Sequence, residues 1–93
     1  MRKVRYFVLS HYVEAALHLA EYERDENGVI IARVPSAAGF FSQGDTFEEA
    51  RENLQDAIEG NIMSALQLGL DIPQIEGITI EEQDAEALAA STP

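Results

Sequence analysis

GFFSQGDTFEEARENLQDAIEGNIMSALQLGL, Gly39 to Leu70, reads as a strand, a tight turn and a long capped helix, and it decides the fold. Thr46 and Glu49 have capping-box spacing, in which the Thr hydroxyl accepts from the N3 amide and the Glu side chain reaches back to the N-cap amide. Apolar residues then recur at Phe47, Ala50, Leu54, Ala57, Ile58, Ile62, Ala65 and Leu66, the i, i+3, i+4, i+7 pattern of one helical face. Gly69 suits a left-handed residue after the last turn, and Pro73 blocks continuation. A helix over Thr46 to Leu68 is predicted, roughly 35 Å long and able to cross a small sheet.

Working back towards the N-terminus, Gly39 to Gln43 is expected as a third strand, joined to the long helix by a turn at Gly44-Asp45. VIIARVP, Val29 to Pro35, is the strand before it, and Ser36 to Gly39 the connection. DENG at Asp25 to Gly28 makes a hairpin turn in which Asn27-Gly28 suit positive φ. Ala20 and Tyr22 alternate with Glu21 and Glu23, the period of a half-buried strand. Tyr12, Val13, Ala16, Leu17 and Ala20 fall at helical spacing, with Ser10 as N-cap. Over residues 3–9 the pattern leaves helix and strand open. Towards the C-terminus, Ile78, Thr79 and Ile80 are expected as a short strand at the sheet edge. The predicted order is α-β-β-β-α-β: an α+β fold with an antiparallel sheet and a long helix on one face. Residues 1-83 form the domain, and 84-93 an acidic, Ala-rich tail.

Ninety-three residues suit one domain, which buries only somewhat more than roughly 60% of its unfolded surface. With no cysteine for disulfides and no structural zinc pattern, homo-oligomerisation as a dimer or tetramer is expected to supplement a thin core. The 46% hydrophobic and 25% charged content is that of a globular chain. His11, Glu14 and His18 interrupt the apolar start, so it does not read as a signal peptide, and no run approaches the ~20 apolar residues of a membrane span. A cytoplasmic protein is expected.

The formal charge of −11 is unevenly placed. Residues 1–35 carry five basic and five acidic groups, whereas residues 36–93 set Arg51 against twelve carboxylates. Such a surface repels phosphate backbones and draws a basic protein, and it also confers solubility. Glu48, Glu52, Gln55, Asp56 and Glu59 fall on the helix face opposite Phe47, Leu54 and Ile58. A solvated outer face explains them, and a docking stripe for a basic partner is the functional alternative.

EYERDENGVIIARVPSAAGFFSQGDTFEEARENLQDAIEGNIMSALQLG resembles the HicB-like antitoxin family, in its compact single-domain subgroup with a partial RNase H-like fold. The matching residues are Gly28, Pro35, Gly39, Gly44, Asp45, Thr46, Glu49 and Ala50. Ala38 stands where the family often has a second proline. The resemblance implies an inhibitor that binds HicA, a small basic mRNA-cleaving toxin. Many members continue into a DNA-binding segment, and nothing after Pro73 offers a basic helix, so direct DNA binding is not expected.

Catalysis has no residue pattern behind it. Glu21 and Glu23 lack a third acid to converge on metal ions. His11 and His18 are seven apart without a third ligand, and no HExxH is present. Ser10, Ser36, Ser42 and Ser64 have no paired base, and Gly39 to Asp45 lacks the Lys of a phosphate loop. No cofactor, metal or enzymatic activity is expected. Phe40, Phe41, Phe47, Tyr6 and Tyr12 read as core, except that one of Phe40 and Phe41 must point away from the helix. Gly39, Gly44, Asp45, Thr46 and Glu49 are expected to be architectural.

Overall fold

The computed structural model describes residues 3–84. The order is β1 (Lys3–Tyr6), α1 (Leu9–His18), β2 (Glu21–Arg24), β3 (Ile30–Val34), β4 (Ala37–Gly44), α2 (Phe47–Leu68) and β5 (Glu81–Asp84). Strands β2, β3 and β4 form one antiparallel sheet with β3 in the centre, and β1 pairs with β5 in a second, two-stranded ladder. This is the expected α+β fold, with a strand added in front. Residues 3–9, open in the sequence, hold β1 and the start of α1.

Three expected element boundaries are corrected. Helix α1 begins at Leu9 with Val8 at its N-cap and no side-chain cap; Ser10 falls inside the first turn because β1 occupies the residues before it. Ile78 to Ile80 do not join the three-stranded sheet. Ile78 and Ile80 pack half-buried against the core, and the backbone ladder starts only at Glu81, opposite Tyr6. Between β3 and β4 the chain turns on Pro35 and Ser36 alone, so β4 starts at Ala37 and Gly39 lies inside it. Of the tail over 84-93, all but Asp84 lies outside the described residues.

The β2–β3 hairpin closes through Asp25. Its Oδ1 accepts from the amides of Asn27 (2.8 Å) and Val29 (2.9 Å), and its carbonyl accepts from Gly28. Only Gly28 takes positive φ, at 83°; Asn27 does not, so the turn is not the two-residue type expected.

Helix α2 starts as the sequence dictates. Thr46 Oγ1 accepts from the Glu49 amide at 3.1 Å, satisfying one of the helix's orphan donors. The Glu49 carboxylate reaches back one residue further than expected, to the Asp45 amide at 3.2 Å. At the other end Gly69 is left-handed at φ 68°, and the Leu70 amide donates to Ala65 O at 2.9 Å. The Arg5 guanidinium donates to the carbonyls of both Ala65 and Leu70, so β1 caps the helix.

The core lies between α2 and the sheet. Ala50, Leu54, Ile58, Ile62 and Ala65 of α2 meet Ile30, Ala32 and Val34 of β3 and Ala37 and Phe40 of β4. Tyr12, Val13, Ala16 and Leu17 of α1 close one side, and Ile72 and Ile75 close the end. Each fully buried Leu or Ile contributes about 1.5–3 kcal/mol. Tyr12 ties these parts together: its ring lies 5.7 Å from Phe7 and 6.3 Å from Phe40, and its hydroxyl donates to Pro73 O.

Candidate functional site

The face that α2 turns from the core is set by the same periodicity that buries the other. Successive side chains rotate about 100°, so an inward row through Ala50, Leu54 and Ile58 leaves Glu48, Glu52 and Asp56 outward. All three are exposed, and Glu59, one turn on, is half-buried and accepts from Gln55 Nε2 at 3.2 Å. The structure therefore brings the four carboxylates onto one side, with no ion pair to any of them among the described residues. Neighbouring acids at i, i+4 repel and weaken a helix by about 0.2–0.5 kcal/mol per pair. Only Glu48, in the first turn, recovers some of that through the helix dipole. The stripe is thus a concentrated negative field on a rigid rod, able to steer a cationic surface towards it.

The expected architectural residues sit where chain elements meet. Gly44 is buried beneath the start of α2, Thr46 and Glu49 form the cap, and Asp45 supplies the amide that Glu49 binds. Gly39 is exposed on β4, where its carbonyl accepts from Asn61 Nδ2 at 3.3 Å. Asn53 Nδ2 covers the Gln43 carbonyl in the same way at 2.8 Å. These two asparagines, eight apart on α2, dress the edge strand; nothing in the sequence pattern singles them out.

Of the aromatic pair on β4, Phe40 is buried and Phe41 is 64% exposed, as the strand alternation requires. Phe41 stands beside Arg33 on the open sheet face, where Arg33 meets Glu23 at 3.9 Å. Phe47 and Leu66 are corrections. Both have core-face spacing, yet Phe47 is 52% and Leu66 41% exposed. Phe47 lies in the first turn, against Tyr22 at 6.0 Å and under the Arg24 guanidinium at 5.6 Å, outside the main core. Leu66 has rotated past Ala65 onto the outer side.

His11 and His18 are exposed on α1, with Glu14 between them and Glu76 opposite, around a shallow cavity of about 490 Å³ floored by Ala15 and Leu19. No group of three or more acids or histidines is arranged to hold a metal among the described residues. Ser42 Oγ donates to Ala50 O at 2.7 Å and serves the strand–helix contact. Burial of the Tyr12 hydroxyl pushes its titration up to about 12. It is a structural group. Among the described residues no helix is long and apolar enough to cross a membrane.

A small antiparallel sheet with one long helix across it, acidic on its outer side, defines an α+β domain. The chain belongs to the UPF0150-like family, whose pattern matches residues 11–73. It is 43% identical over 37 residues to the UPF0150 protein ssr1258 of Synechocystis, 40% of this chain and 54% of that protein. The chain thus matches about half the length of that relative. The crystal structure of TTHA0281 from Thermus thermophilus is similar at a TM-score of 0.72 and 28% identity, over 78% of this chain and 91% of that one. The N-terminal domain of the Burkholderia pseudomallei antitoxin HicB matches at a TM-score of 0.54 and 22% identity, over 71% and 93%. Its fold is the fold found here. The resemblance read from the hairpin and capped helix is borne out in architecture by the HicB domain, and the family shown is the UPF0150-like one.

Proposed function

We propose that this protein is a HicB-like antitoxin that binds and neutralises a small basic HicA-type mRNA-cleaving toxin in the cytoplasm. It acts by covering the toxin's RNA-binding surface, with no catalysis and no cofactor, and it assembles as a homo-oligomer. The observation that carries this reading is the outward carboxylate row Glu48, Glu52, Asp56 and Glu59 on the rigid helix α2. Family membership and the HicB N-terminal fold support it, and the −11 charge suits a cationic protein while disfavouring nucleic acid and anionic membranes. A growth test reads it: the adjacent reading frame, expressed alone, arrests growth, and co-expression of this chain restores it. A neighbour that is neither toxic nor basic contradicts the proposal.

A solitary oligomeric scaffold or small-ligand module is the second reading, supported by the cavity between His11, His18 and Glu76. It requires no toxic neighbour, so the same growth test separates the two.

A further inference from the structure

The outer side of α2 changes character at Gly60. Its carboxylates end at Glu59, and Gly60 to Leu70 contains no charged residue. In that span Met63, Leu66, Leu68 and Leu70 are all exposed. They are four of the seven exposed large hydrophobics among the described residues, gathered at the end of one element. Single exposed leucines are ordinary; a gathered apolar patch marks an interaction surface. The helix places Met63 and Leu66, i, i+3 neighbours, together on the outer side, whereas Leu68, two residues past Leu66, lies about 200° round the helix, and Leu70 follows the left-handed Gly69 beyond the last turn.

Charge distribution says which occupant fits. At −11, two copies repel wherever carboxylates would face each other, and a cationic partner is drawn to the Glu48 to Glu59 half. The uncharged end of α2 is the part of this helix where like-charged copies meet without bringing acids together. We propose that Met63 and Leu66, on the outer side of the uncharged end of α2, form the centre of a contact with a second copy of this chain, across a two-fold axis near Leu66. Such a contact uses the same patch on both copies, and the acidic halves of the two α2 helices then point apart and stay open to a basic partner. The proposal rests on the homo-oligomer reading above and adds the surface.

Light scattering on the full chain over a concentration series tests it. The wild type is expected at a multiple of the chain mass. Leu66→Glu sets two charges against each other at the axis and is expected to weaken self-association at least tenfold, with an unchanged circular dichroism spectrum, while Glu52→Lys leaves the mass as it was. Because the chain has no cysteine, Leu66→Cys supplies a single thiol, and mild oxidation with copper phenanthroline is expected to link two chains. Should L66E lose its folded spectrum, the cross-link decides. A monomeric wild type overturns the oligomer reading and the surface together. An oligomer that folded L66E leaves intact, or that oxidised L66C fails to link, overturns the surface alone. A monomer whose binding of a basic protein is abolished by L66E assigns the patch to that protein and likewise overturns the proposal.

Discussion

Gly44 and Ala50 approach so closely that no side chain fits between them: a Cβ at Gly44 would lie 2.5 Å from the Ala50 amide nitrogen. Both are backbone positions of packed elements, so neither yields cheaply. Gly44→Ala is expected to destabilise by about 1–3 kcal/mol. Gly60, in the middle of α2 with open space around it, is the opposite case. Gly60→Ala is expected to stabilise by about 0.5–1 kcal/mol through helix propensity. Urea denaturation of the two variants checks both signs.

Thr46→Ala removes the hydroxyl that accepts from the Glu49 amide and is expected to cost about 1 kcal/mol. Thr46→Ser keeps the acceptor and recovers most of that loss. Thermal melts of the three proteins distinguish a lost cap from lost packing.

Tyr12 gives the protein an alkaline limit. Its hydroxyl is raised from 10.0 to about 12 by burial, so the folded state holds the proton that the unfolded state releases. Its contribution is complete below pH 10 and is lost as pH rises towards 12, on the order of 2 kcal/mol in all. Tyr12→Phe gives up the bond to Pro73 O at neutral pH, about 1 kcal/mol, and flattens this part of the alkaline slope. Stability measured from about pH 8 to 11 for both proteins checks the difference in slope.

Asn53 and Asn61 cover carbonyls on β4, which is an edge strand. Removing both as Asn53→Ala/Asn61→Ala is expected to leave the fold in place and to speed aggregation on heating, because bare strand edges recruit other chains. Turbidity during a thermal ramp, compared with the wild type, checks it.

The long helix was legible because cap, periodicity and stop signal all lie within its own residues. Thr46, Glu49 and Gly69 each take the role that local chemistry assigns them. The β1–β5 ladder was not legible, since its partners, such as Arg5 and Glu82, are far apart in the chain and each strand is only four residues long. Phe47 and Leu66 show a different limit. Helical spacing does not say where the sheet beneath it ends, and Phe47 lies at that margin; Leu66 follows the buried Ala65 by about a further 100° and turns to the outer side. The acidic stripe was readable as a pattern, because helical spacing alone puts Glu48, Glu52, Asp56 and Glu59 on one side.

Retention of a partner at different salt concentrations tests the central claim most directly. The immobilised chain is expected to hold the small basic product of the adjacent reading frame at low salt and to release it as salt rises. Glu52→Lys/Glu59→Lys is expected to weaken retention at least tenfold, with the helical spectrum intact. Retention that is unchanged by the charge reversal would contradict the docking role of the stripe, and the absence of any retained basic protein would contradict the antitoxin reading itself.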